Sequence, residues 1–218
     1  MSVIGSALPF FFGASKSSGL AIGDAYQGGF FAGYISHTAN GVATHLLIVA
    51  PAASGYNGGT GLALKTSNTS TAGTNNAFNG SVNSANMNNA SHPAAQYCEG
   101  LTIGGYSDWY LPARYELEIA YYNLKPTTTS NDTGSGINSY SVPARNSNYT
   151  AGTPAQTTVN AFKTGNSQAF IDNWHWSSTE GPSGTGGYIQ RFDSGQIGAF
   201  NDIKTDLYKV RAFRKVAL

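Results

Sequence analysis

The chain has 218 residues, 12 Lys+Arg against 11 Asp+Glu for a formal net charge of +1, and 12% aromatic residues. That length suits one large domain or one domain with appendages, and the aromatic content supplies a real core. The balanced charge gives no electrostatic footprint for nucleic acid, and 11% charged residues is too few for a disordered polyelectrolyte.

Residues 1–20 read as an amino-terminal arm. Phe10, Phe11 and Phe12 stand in a row, and such a run is hard to leave in water. No Lys or Arg precedes the apolar part, so it lacks the charged start of a secretory signal. Gly5 and Pro9 interrupt it before it could span a bilayer. The arm either docks onto a neighbouring molecule or packs on its own domain. Tyr26–Ser36 reads as a strand in which Gly28, Gly29 and Gly33 permit a bulge or a close backbone approach. Thr44–Ala50 is the continuous apolar run of a strand buried on both faces. Residues 51–90 are rich in Gly, Ser, Thr and Asn. They read as an ordered loop anchored by Phe78, Val82 and Met87, with room for one short helix. Ser91–Leu101 reads as a helix with Ser91 as N-cap and Pro93 in its first turn.

Residues 104–117, GGYSDWYLPARYEL, carry the densest signal. A polar turn (Gly104, Gly105, Ser107, Asp108) enters a short aromatic strand, Trp109 to Leu111, which Pro112 stops. A helix follows over Ala113–Asn123, with Leu117, Ala120, Tyr121 and Leu124 on one buried face and Glu116 and Glu118 on different faces. Residues 125–173 form a second loop-rich insertion with short packed turns at Val159–Phe162 and Gln168–Ile171. Trp174–Thr179 is another aromatic strand, with Trp176 read as core and Trp174 as the more exposed ring. Tyr188–Asp193 and Gly198–Asn201 read as a hairpin around Ser194, Gly195 and Gln196. With Ile189 and Phe192 inward, parts of Tyr188, Gln190, Arg191 and Asp193 face out. Val210–Val216 closes the chain as one alternating strand.

Catalytic and metal signals are weak. Cys98 is the one cysteine, so no intrachain disulfide forms, and on its helix it reads as a buried inert thiol. His37, His45, His92 and His175 lack ligand spacing, and residues 131–136 lack the acidic spacing and closing Glu of a calcium loop. Gly184–Gly187 precedes a strand rather than a helix, which is wrong for a phosphate cradle. A paired-carboxylate hydrolase using Asp108 and Glu116 is the enzymatic alternative. No metal or cofactor is expected.

The segments GYSDWYLPARYEL, WHWSSTE, GYIQRFDSG and KVRAFRKV, preceded by QYCEGL at 96–101 and a Gly-rich strand pair ending HLLIV, resemble the Lcl C-terminal-domain family over residues 20–218. That family occurs in bacterial collagen-like adhesins and in phage tail and virion proteins. The resemblance implies an α+β, C-type-lectin-like fold, with two helices packed on small antiparallel sheets and long ordered loops. It implies a domain at 21–218 with insertions at 51–90 and 125–173. Gly105, Asp108, Trp109, Leu111, Pro112, Glu116, Leu117, Trp176, Ser177, Ser178 and Arg211 are then framework residues. The implied function is host-surface glycan or receptor binding on a virion, with the alternatives of a structural decoration subunit or a bacterial cell-surface adhesin. The fold is shared with formylglycine-generating oxidases, which need two active-site cysteines, so that activity does not carry over. Candidate contact residues are Trp174, Tyr188, Gln190, Arg191, Asp193, Asn201 and Asp202, because planar amide, guanidinium and aromatic groups suit sugar hydroxyls and C–H faces. Expected partners are other virion proteins through the arm and further copies of the chain, as a trimer by analogy, with no nucleic acid and no membrane insertion.

Overall fold

The computed structural model describes residues 19–198 and 203–218. The arm and the contact candidates Asn201 and Asp202 lie outside the described residues, apart from the arm's last two positions. In chain order the strands are β1 (Ala25–Tyr26), β2 (Gly29–Ile35) and β3 (His45–Val49), followed by helix α1 (Ala52–Gly55). Then come β4 (Tyr56–Leu62) and helices α2 (Gly80–Asn86), α3 (Pro93–Glu99) and α4 (Arg114–Leu124). The chain continues through β5 (Ser141–Val142), a 3-10 turn at Asn160–Phe162, β6 (Trp174–Glu180) and β7 (Gly187–Arg191). It ends with β8 (Ile197–Gly198), β9 (Tyr208–Arg211) and β10 (Phe213–Ala217). The fold is α+β. One sheet runs β1-β2-β3-β10, with β5 on β2, and the other runs β4-β9-β6-β7-β8. All pairings are antiparallel except the short β6–β9 contact at His175 and Lys209.

Several expectations need correction. The strand expected over Tyr26–Ser36 is a hairpin. Gln27 (φ 43°) and Gly28 (φ 86°) turn the chain between β1 and β2, and positive φ at both central residues is the geometry that matches strand twist. The closing strand is also two strands in different sheets. Chain direction changes at Ala212, whose N–H donates to Gly55 O and whose carbonyl accepts from Ala50 N. Alternation continues across this step, so periodicity alone hides the crossing. Trp109 to Leu111 is not a strand; only Tyr110 bridges, to Phe213. The 51–90 segment holds β4, two helices and the loop between them. β4 (YNGGTGL) reads as loop because three glycines weaken its strand signal, and its pairing with β9 is what orders it. The described residues thus contain four α-helices rather than two. α3 starts with His92, not Ser91, at its N-cap.

Two apolar clusters fill the fold. One gathers Phe31, Leu46, Ile48, Trp109, Leu111, Trp176 and Ile189. The other gathers Leu117, Tyr121, Tyr149, Phe162, Phe170, Phe192 and Phe213. β2 and β3 contribute to both because alternate residues point to opposite faces.

The 104–117 motif is the clasp between them. Gly105 (φ 84°) turns an exposed corner. Trp109 is fully buried and donates to Tyr106 O at 3.0 Å. Leu111 N donates to Ser84 Oγ at 3.1 Å, and Pro112 O accepts from Ser178 N at 2.7 Å. Ala113 has no side-chain oxygen, so Glu116 alone closes the start of α4, accepting from Ala113 N at 2.8 Å. Glu116 also accepts from Gly80 N at 3.0 Å and Tyr110 Oη at 2.9 Å. Burial pushes its carboxyl up from 4.5 to about 7 against these donors. Glu118 is buried too, bound by Tyr149 Oη at 2.6 Å, by Asn138 and by Arg145. α4 therefore hides both acids, whereas its sequence suggests one buried face. The 125–173 segment, through Asn138, Arg145 and Tyr149, covers the side that periodicity assigns to solvent.

Asp108 pairs with Arg214, whose guanidinium also lies 3.9 Å from the Tyr106 ring centroid. Trp176 is fully buried and donates to Leu62 O at 3.0 Å. Ser177 Oγ donates to Tyr188 O at 2.9 Å, and Ser178 Oγ accepts from Asn83 at 3.2 Å. Arg211 is 1% exposed and donates to Ala50 O and Gln168 O.

Candidate functional site

β7 decides which of the suggested contacts can act together. Successive side chains on a strand point to opposite faces. Tyr188 and Gln190 therefore share one face, and Ile189 and Arg191 the other. A single surface containing Tyr188, Gln190, Arg191 and Asp193 does not form. Gln190 is 2% exposed and Asp193 9%, so neither presents an open face. The register places Trp174 opposite Arg191, and the Arg191 guanidinium sits 5.7 Å from the Trp174 ring centroid. Arg191 is also paired with Asp193 at 2.8 Å. Asp193 further accepts from Ser194 N at 2.6 Å. Arg191 is thus engaged by its own neighbours, although its Nε is buried without a partner.

Tyr188 belongs to a different assembly. Arg114, the first residue of α4, lies between two rings: its guanidinium carbon is 4.4 Å from the Tyr188 centroid and 4.5 Å from the Tyr115 centroid. The start of α4 is fixed by Arg114 N donating to Thr179 Oγ1 at 3.1 Å and Tyr115 N donating to Ala77 O at 3.0 Å. Beyond Tyr115 the stack continues through Tyr140 (5.3 Å, 27°) and Phe78 (4.4 Å, 11°) to His37 and His45. All seven side chains are partly exposed. They form a ribbon of π faces with one cation clamped inside it.

Two open clefts meet at Arg114 and Tyr188. One, of roughly 320 Å³, is walled by Tyr115, the 134–137 turn, Asn148 and Ile197. The other, also roughly 320 Å³, is walled by Asn75, Ala77 and the 179–182 turn. A third, of roughly 290 Å³, adjoins the first through Asn148 and holds Arg145 over Tyr122 at 4.2 Å. Behind Tyr188 lies a small cavity of about 10 Å³ lined by Arg114, Leu117, Ser177, Tyr188, Ile189, Gln190 and Ile197.

Hydrogen bonding at this point is incomplete. All five arginines are among the described residues. Arg145, Arg191 and Arg214 each pair with a carboxylate, and Arg211 with carbonyls. Among the described residues, Arg114 donates from its side chain only to Tyr115 Oη, at 2.8 Å. Arg114 Nε and Gln190 Oε1 are buried without a partner, as are Arg145 Nε, Arg191 Nε and His37 Nε2 elsewhere among the described residues. Gln190 Nε2 reaches Gly195 O at 3.3 Å. An unmet buried donor or acceptor costs about 1–3 kcal/mol, so two on residues that line one cavity mark a place where structure alone is not satisfied.

Cys98 and His175 are enclosed by the fold. Cys98 is fully buried and its thiol is pushed well up by that burial. His175 is pushed down to about 3 by burial and contacts Tyr56 Oη at 2.7 Å. Among the described residues no group of three or more His, Cys, Asp or Glu could hold a metal ion, and no helix is long and apolar enough to cross a membrane. Arg114, Tyr115 and Asn148 were absent from the sequence-derived contacts. The signal was present in PARYEL, where a cation flanked by an aromatic opens a helix, but the motif reads there as framework.

Compared with known proteins, the chain matches no family model and no curated protein.

Proposed function

We propose that this chain is a non-enzymatic, C-type-lectin-like binding domain on a phage particle, at the tail or capsid surface, and that it takes a host-surface glycan or receptor in the clefts flanking Arg114 and Tyr188. The supporting observation is the Tyr188–Arg114–Tyr115 stack between two open clefts of roughly 320 Å³ each. Ring faces suit the C–H faces of sugars, and amide, hydroxyl and guanidinium groups suit their hydroxyls. The lectin-like reading draws support from long ordered loops carried on two small sheets and from the resemblance of the framework motifs. The absence of catalysis draws support from the engagement of Asp108 with Arg214 and of Glu116 with three donors, which leaves that pair no free acid–base couple.

The test is a glycan array probed with the folded protein and three variants. Arg114→Ala and Tyr188→Ala should each weaken binding by about thirtyfold or more, as central contacts do. Arg191→Ala should bind like the unaltered protein. Loss of binding in Arg191→Ala with retention in the other two would move the site to the Trp174 patch. No binding by any form, with self-assembly intact, would favour a structural decoration subunit instead.

A further inference from the structure

We infer that the cavity behind Tyr188 reads a single hydroxyl group of the ligand, with Arg114 Nε as donor and Gln190 Oε1 as acceptor. This deepens the glycan reading and rests on it. Only five buried side-chain polar atoms lack a partner among the described residues. Two of the five belong to residues lining this one cavity, and they are of opposite type. A carboxylate can accept from Arg114 but has nothing to give Gln190. An ammonium group has the reverse defect. A hydroxyl donates and accepts through one small oxygen, so it answers both atoms at once where a bulkier amide would need two.

Size agrees. About 10 Å³ is near the room that one water-sized group needs. Access agrees as well, because Arg114, Tyr188 and Ile197 line both the cavity and the larger open cleft. A sugar ring lying against Tyr188 would send one hydroxyl inward while the rest of the ring stays in the cleft. Gln190 itself is held by neighbours: its β-strand pairs with His175 and Ile197, and its Nε2 is committed to Gly195 O. The acceptor is therefore fixed before the ligand arrives, which is what makes a buried polar group selective. Gln190 enters as a specificity-determining residue from inside the fold, not as the exposed contact its sequence position suggests.

The experiment is NMR on isotope-labelled full chain, following the Arg114 Nε–H and Gln190 side-chain amide signals. The probes are glucose, galactose, mannose, N-acetylglucosamine and rhamnose, together with their monodeoxy analogues. The expected result is that at least one sugar moves both signals, and that one of its deoxy analogues binds about tenfold weaker or worse, the loss of one buried hydrogen bond. Arg114→Lys, which keeps the charge and removes Nε–H, and Gln190→Met, which keeps the shape and removes the amide, should abolish the preference for the parent sugar over that analogue. Sugars that bind while both signals stay still would overturn the inference, and so would equal binding of every deoxy analogue. If no sugar moves either signal, the inference also fails, and the array result separately decides whether the cleft takes a glycan. Signals that respond only to solvent exchange would mark a structural water site and overturn it too.

Discussion

Glu116 offers the sharpest test of how the framework is held. Its carboxyl is fully buried and receives donors from Gly80, Ala113 and Tyr110, so it fastens α2, the start of α4 and the segment before it. Burial raises its pKa from 4.5 to about 7. The folded state therefore holds this proton more tightly than the unfolded chain. The resulting stabilisation is fully present below about pH 4.5 and is lost as pH rises through about 7. The rise corresponds to about 3 kcal/mol, at 1.36 kcal/mol per pH unit. Glu116→Gln keeps the shape and cannot ionise. Urea unfolding of both proteins from pH 4 to 8 isolates the effect, because the other titrating groups cancel in the difference. The unaltered protein should lose about 3 kcal/mol relative to Glu116→Gln across that range. A difference that stays constant with pH would refute the reasoning, since Glu116 would then titrate alike in both states.

Further outcomes follow from other buried groups. Arg211→Met removes a buried guanidinium from Ala50 O and Gln168 O; thermal unfolding should show a loss of about 1–3 kcal/mol for each carbonyl left without its donor. His175 is lowered to about 3 by burial, so its contribution is present above its ordinary 6.5 and fades as pH falls toward 3. Its ring signals should accordingly stay unchanged by NMR from pH 8 to 4.5. Gly29→Ala would drive a methyl into the carbonyl oxygen of Val49. Because that neighbour is backbone in the central strand pair, the variant should lose about 1–3 kcal/mol or more in denaturant unfolding.

The β3 run HLLIV and the α4 periodicity are legible in the sequence because each has a strong local pattern. The sheet crossing at Ala212 is not, since Arg211 and Phe213 keep the same alternation on either side of it. β4 is hidden for the opposite reason: Gly58, Gly59 and Gly61 give no side chains to pattern. The candidate site is half legible. Tyr188 stands out as an aromatic on a hairpin, but grouping it with Arg191 ignores the alternation of β7. Gln190 reads as exposed because its outward face is covered by α4, far away in sequence. Arg114 is visible as a residue and invisible as a site, because what marks it is its place between the Tyr115 and Tyr188 rings, which only the folded arrangement brings together.

The central claim is that the Arg114–Tyr188 clefts are the contact surface. Chemical-shift mapping of the strongest array glycan on the labelled protein tests it most directly. The predicted shifts gather at Arg114, Tyr115, residues 134–137, Asn148 and Tyr188. Shifts confined to Trp174, Arg191 and Asp193 would contradict it.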